Sequence, residues 1–484
     1  MKRFLAIALA LVLVVAFVGC GKSKKRVPIE LTLSTEDSEA ILKAAGIRLP
    51  DEATAPGAGS HVIWYAWYDP LQNYEEDQVV NTGNWTFTHK YNGSVEWLEC
   101  VYENYYDDLA MYISAGTPPD ATQATNGVMA LYPMNCIKEM IQPVDKWIDF
   151  DDPLFAPMKG AADYFTLRGE HYHIITDIAV SNVVAYNRRV IEEYGYDDPA
   201  ELYYNDEWTW EKFYDMCVDF SEPDEDRFAL DGYAFEGMFV ESTGQQILMN
   251  DENGRYYSNL DSPEIERGQD YLYNLLKNDC LYGRGGWSLR SGSGDNWGAG
   301  VKDGLCLFYV IGETFFENTV ELVSANWGDI ANGELMFAPL PRDENGDGIY
   351  YCSSSFDNIK GAMVIINDAR NPEGAALLAS CIRFKVIDPV VQQIDERQMR
   401  EKYLWNDDMI EMSKECQRIA DANFIIDYSG NLPDGLQTVY GNLARSIVRS
   451  GQNASSWAQL KEANRESFEY YIEELNNMIE EFDS

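Results

Sequence analysis

Apolar residues along the chain fall into three kinds of run. The first, Phe4 to Val18, is unbroken, follows Lys2 and Arg3, and stops abruptly at Gly19-Cys20. A basic start and an apolar stretch shorter than the roughly 20 residues of a bilayer span describe an export signal, not a membrane helix. The second kind is short and nearly continuous: His61 to Trp67 (HVIWYAW), Val183 to Tyr186, Leu305 to Val310, Leu335 to Pro339 and Ala362 to Ile366. Such runs predict strands buried on both faces of a sheet. Gly93 to Leu98, Asp120 to Gln123 and Ile174-Ile175 add weaker strands.

The third kind recurs at helical spacing. Leu109 and Ile113 with Tyr105 or Tyr112 mark a helix over 104–115, stopped by Gly116 and Pro118-Pro119. Phe213, Met216 or Cys217, and Phe220 mark another, begun by Thr209 as N-cap. Arg188 to Tyr194 is a third, closed by Gly195, and from Ala375 the chain turns mostly helical. In the last helix Ser456 and Gln459 form a capping box, with Phe468, Tyr471, Leu475 and Met478 on one face. Alternating strands and helices predict an α/β fold.

Between the export signal and the first strand, residues 21–26 are polar and basic, and residues 51–60 (DEATAPGAGS) are rich in Ala, Gly and Pro. That composition predicts a flexible tether over 20–60 after a signal peptide over 1–19. Phe17-Val18-Gly19-Cys20 resembles a lipobox, which implies a diacylated Cys20 anchoring the chain to the outer face of the cell membrane. The 424 residues from His61 exceed what one core holds, so two lobes are expected. The late return of a strand at Ala362 to Ile366 predicts discontinuous lobes, 61–178 with 357–404 and 179–356 with 405–484.

A formal charge of −43 repels phosphate backbones, so nucleic acid is disfavoured and a neutral or cationic partner favoured. Cys100, Cys136, Cys217, Cys280, Cys306, Cys352, Cys381 and Cys416 show neither CxxC nor His pairing, which leaves disulfides and buried free thiols both open and no zinc site. Asp343 to Gly348 (DENGDG) imitates the start of a calcium loop, but Ser354 stands at the twelfth position where a bidentate Glu is required. A plain Asp/Gly turn is the reading, with no metal and no cofactor.

Several blocks, in order, carry a family resemblance. Residues 91–97 (YNGSVEW), 106–109 (YDDL) and 114–120 (SAGTPPD) come first, then 141–145 (IQPVD), 184–189 (VAYNRR), 209–213 (TWEKF), 301–304 (VKDG) and 337–341 (FAPLP). Together they resemble the carbohydrate-type extracellular solute-binding proteins of ABC importers. The resemblance implies a monomeric, two-lobed type II periplasmic-binding-protein-like fold with a hinge, no enzymatic activity, and capture of a sugar or oligosaccharide for delivery to ABC transporter permease subunits. One departure is residues 73–89, where the family carries a long first helix and this chain has Gly83-Asn84 with Thr82, Thr86 and Thr88.

Sugars present stackable C–H faces and a rim of hydroxyls, so their sites need flat aromatics, amides and carboxylates. Ligands in open α/β sheets bind beyond the carboxyl ends of strands. That rule selects Trp67, Tyr68 and Asp69 after the first strand, and Gln123, Thr125 and Asn126 after the Asp120 strand. The resemblance makes 177–182, with Asn182, a crossing hinge, and sets Glu236, Glu313 and Tyr440 near ligand-facing positions. The Gly/Ser-rich stretch 288–296, flanked by Trp287 and Trp297, has the composition of a loop closing over a ligand. Two other readings stay open: a secreted glycoside hydrolase, needing two carboxylates across a sugar cleft, and a binding protein for a cationic solute such as a polyamine.

Overall fold

Apart from two short hairpins, twelve strands among the described residues build two larger sheets and a two-stranded ribbon. They are β1 (His61–Ala66), β2 (Ser94–Glu99), β3 (Ala121–Gln123), β4 (Ile141–Gln142), β5 (Ile174–Asp177), β6 (Val183–Asn187), β7 (Phe228–Gly232), β8 (Cys306–Ile311), β9 (Leu335–Ala338), β10 (Cys352–Ser355), β11 (Gly361–Ile366) and β12 (Phe424–Asp427). This computed structural model describes residues 31–69, 79–124, 132–180, 182–233, 235–251, 254–281, 297–355, 361–427 and 432–481.

The first sheet runs β2-β1-β3-β11-β4, with β5 also paired to β11. β1 is parallel to β2 and β3, while β11 is antiparallel to β3, β4 and β5. The second sheet runs β9-β6-β8-β7, with β8 parallel to β7 and antiparallel to β6. β10 and β12 form a separate parallel pair. The chain thus leaves the first sheet after β5, builds the second, and returns to the first at β11.

The continuous apolar runs do what their pattern predicts. Every residue of β8 is buried, as are Val62, Tyr65 and Ala66 of β1. Motif residues close polar groups that these strands would otherwise leave unmade. The buried Asp120 carboxylate accepts from the backbone N–H of Ile63 and of Asn371, both at 2.8 Å, tying β1 to the start of the Pro372–Val386 helix. Asn187 caps the Arg188–Tyr194 helix by accepting from Arg189 N–H and donates to the Trp327 carbonyl. Thr209 caps Trp210–Phe220, and Trp210 is core, stacked on Tyr271 at 4.6 Å.

The part of the departure within the described residues, 79–89, has a packing reason. Gly83 opens the Gly83–Lys90 helix against the Pro372–Val386 helix, where a Cβ would fall 2.5 Å from the Ile382 backbone. Glycine is required by that approach, and Thr82 supplies the N-cap by accepting from Trp85 N–H.

The expected tether is corrected. Thr35–Ala44 is a helix with a Ser34/Asp37 capping box, and Ser38 Oγ donates to Asp388 Oδ1 at 2.5 Å with both side chains buried. Leu49 and Ala55 are buried, and the Pro50 carbonyl accepts from Tyr91 OH. Residues 33–60 are therefore packed structure, because a few apolar anchors outweigh an Ala/Gly/Pro-rich composition. The last helix, Trp457–Glu481, keeps its capping box, but its buried face is Phe468, Ile472, Leu475 and Ile479 rather than the predicted Tyr471 and Met478. Among the described residues no helix is long and apolar enough to cross a membrane.

Candidate functional site

Parallel pairing brings the carboxyl ends of β2, β1 and β3 to one edge of the first sheet. Trp67, Tyr68 and Asp69 follow β1, and Gln123 ends β3. The Tyr68 hydroxyl donates to Gln123 Oε1, so two residues selected separately from the sequence meet here. Trp67 packs edge-on to Tyr68, with ring centroids 4.9 Å apart, and keeps 40% of its surface exposed. Below this edge Tyr105 OH donates to Thr122 Oγ1 at 2.7 Å and Thr122 Oγ1 to the Tyr65 carbonyl at 2.6 Å, a buried network that fixes the strand ends.

The second sheet has a matching edge. β7 and β8 run parallel with Gly232 opposite Val310, so the turns after them lie side by side. Tyr233 follows β7, and the Glu313–Phe316 turn follows β8. Three half-buried rings cluster there: Tyr233 and Trp297 at 5.0 Å, Tyr233 and Phe315 at 6.0 Å, Trp297 and Phe315 at 6.2 Å. Sequence reasoning did not single out Tyr233 or Phe315. The usable signal was that each stands within four residues of the end of an apolar strand run.

The remaining candidates are placed differently. Glu236 is 3% exposed, and its Oε1 lies 2.6 Å from Arg449 Nε. Glu313 and Tyr440 are buried at the same end of the second sheet and on the Asp434–Arg449 helix. Asn182 is buried beside Val180 in the segment linking β5 to β6, where the Ile178 carbonyl accepts from Gln417 Nε2 at 3.0 Å. Thr125, Asn126, Trp287 and Cys20 lie outside the described residues. A cavity of about 440 Å³ touches none of these candidates; Tyr164, Ile178, Asn250, Asp421 and Phe424 help line it, next to the same linking segment.

Residues 85–383 match the bacterial extracellular solute-binding proteins. The chain belongs to that family. Membership places this solute-binding protein outside the cytoplasm. Among solved structures it is similar to the sugar-binding protein MalE from Xanthomonas citri, at 15% identity and TM-score 0.61 over 87% of this chain and 99% of that one. It is also similar to a sugar transporter from Rhizobium etli in an open conformation, at 14% identity and TM-score 0.58 over 85% and 99%. A third is the galacto-N-biose/lacto-N-biose I-binding protein of the ABC transporter from Bifidobacterium longum in complex with lacto-N-biose, at 14% and 0.55 over 88% and 99%. The shared fold is the two-lobed α/β architecture of type II binding proteins. No curated protein matches the sequence.

The structure places the cysteines and the calcium-like turn. All eight cysteines from Cys100 to Cys416 are buried free thiols in this solute-binding protein, and burial pushes Cys280 up to about 11 and Cys381 up to about 12. The calcium-like turn already holds a cation of its own: Arg267 donates from Nε at 3.0 Å and from its terminal nitrogen at 2.7 Å to Asp343 Oδ2. Asp343 is 2% exposed, so its charge is met internally. Among the described residues no cluster of His, Cys, Asp and Glu is placed to hold a metal.

Proposed function

We propose that this solute-binding protein captures a sugar or oligosaccharide between its two lobes and delivers it to ABC transporter permease subunits, as a monomer and without chemical turnover. One observation carries the reading: the half-buried rings of Tyr233, Trp297 and Phe315 cluster at the carboxyl edge of the second sheet. Trp67, Tyr68 and Gln123 stand at the matching edge of the first. Flat rings suit the C–H faces of a sugar, and the Gln123 amide and neighbouring hydroxyls suit its rim. The sugar ligands of the similar structures fit the same chemistry.

The lobes we propose are residues 61–178 with 357–404, and 179–356 with 405–484; residues 33–60 pack with the first. The Pro372–Val386 helix lies on β1, β5 and β11, whereas Asp407–Ala422 lies on β9, which supports that division. A ligand held between the lobes touches both only when they close, and that differential contact shifts the equilibrium toward the closed form. Trp67, Tyr68, Asp69, Gln123, Thr125 and Asn126 are assigned to ligand contact from the first lobe. Asn182, Trp287, Glu313 and Tyr440, joined by Tyr233, Trp297 and Phe315, are assigned from the second, with Glu236 acting through Arg449. Cys20 is assigned as the lipidated residue.

A thermal-shift screen across mono- and oligosaccharides tests the function. Stabilisation that grows with sugar concentration, with the sugar recovered intact, is the expected outcome. Accumulation of hydrolysis products would make the protein an enzyme, and stabilisation by polyamines alone would replace sugar with a cationic solute.

A further inference from the structure

The aromatic surface at the first sheet does not stop at Trp67. β2 is parallel to β1 at the sheet margin, so the turn after it emerges on the same carboxyl edge, one strand further out. That turn carries Tyr102, whose ring lies 5.6 Å from Trp67 at 79°. Trp97, near the end of β2, donates from Nε1 to the Ala66 carbonyl at 3.0 Å, which pins its indole beside the same strand end. Trp67, Trp97 and Tyr102 are 40%, 36% and 39% exposed. Single exposed rings are ordinary on a solvated surface, but large rings gathered at one strand edge and held in place there form the kind of contiguous patch that marks a binding surface.

Charge narrows the ligand. From His61 to Ile137, Lys90 is the one Lys or Arg, against ten Asp and Glu, among them Asp69, Glu99 and Glu103 in the segments that follow or end β1 and β2. A glycan bearing carboxylates or phosphates meets repulsion along this edge, while a neutral one finds ring faces flanked by hydroxyl acceptors.

We infer that Trp67, Trp97 and Tyr102 form an outer subsite on the first lobe for a neutral oligosaccharide whose inner residues occupy the cleft beside Tyr68 and Gln123. The inference rests on the sugar-capture reading and names its ligand class: neutral chains long enough to run out of the cleft across the β1 and β2 ends. Tyr102 sits in a surface turn, so truncating it leaves the core intact.

The test is calorimetry with the full chain on ladders of neutral gluco-, galacto- and xylo-oligosaccharides, from disaccharide to hexasaccharide, together with oligogalacturonates of matched length. Wild-type affinity is expected to rise with length in one neutral series. Tyr102→Ala should flatten that rise, weakening the longest ligand roughly tenfold while leaving the shortest unchanged, and Tyr102→Phe should restore it. Length-independent binding by the wild type, or a Tyr102→Ala ladder that coincides with it, overturns the outer subsite and leaves sugar capture standing. Oligogalacturonates that bind as tightly as the neutral series overturn the assignment to neutral glycans. Binding of no glycan overturns both readings.

Discussion

Arg449 Nε lies 2.6 Å from Oε1 of Glu236, joining the end of the Asp434–Arg449 helix to the turn after β7. Glu236 is 3% exposed, so removing it leaves a partly desolvated guanidinium, whereas removing Arg449 leaves a buried carboxylate. Glu236→Ala is expected to lower unfolding free energy by about 1 to 3 kcal/mol, a figure reduced for the third of the Arg449 side chain that meets solvent. Urea denaturation measures it. Unchanged stability with lost sugar affinity would instead put the Glu236 carboxylate on the ligand.

Tyr233 and Phe315 give the complementary case. Both rings are half-buried in the turns that follow β7 and β8, outside the buried strands themselves, so truncation should spare folding. Phe315→Ala and Tyr233→Ala should each weaken sugar binding by about 1 to 3 kcal/mol in calorimetry, with the melting temperature little changed. Retained affinity in both would remove the second-sheet cluster from the site.

The edge of the first sheet was legible because its signals are local. HVIWYAW reads as a buried strand, and the residues after such a strand are the ones an α/β sheet offers to a ligand. Tyr233 and Phe315 were not legible, since their proximity depends on β7 pairing with β8 across more than seventy residues of sequence, a register no periodicity encodes. Residues 33–60 misled for a related reason: Leu49, Ala55 and Ser38 find partners far away in the chain, and composition carries no trace of that docking. The last helix was placed correctly but rotated by one position on the side facing the core, because Tyr471 and Ile472 are both apolar enough to qualify.

His173 is fully buried, stacked on Phe165 at 4.1 Å, and among the described residues neither ring nitrogen has a hydrogen-bond partner. Burial pulls it down to about 3, far below the ordinary value of 6.5. Between those values the unfolded chain binds a proton that the native state refuses. Stability is therefore intact above pH 6.5 and lost as pH falls toward 3, by about 1.4 kcal/mol per pH unit. His173→Phe should remove this component, so the variant and wild type should diverge on acidification in urea titrations. Parallel pH profiles would mean that His173 becomes protonated while folded.

The proposed anchor is tested by fractionation. Cys20→Ala should move the protein from the membrane fraction to the soluble one, since the described residues contain no helix able to span a bilayer. A variant that stays with the membrane would place the attachment elsewhere.

Capture without turnover is tested most directly by titrating the wild-type protein calorimetrically with the best sugar from the screen, then resolving the recovered sugar by chromatography. The account predicts saturable binding that Trp67→Ala weakens, and a ligand returned unaltered after prolonged incubation. Absence of heat with every sugar, or a cleaved product in the recovered material, would contradict it.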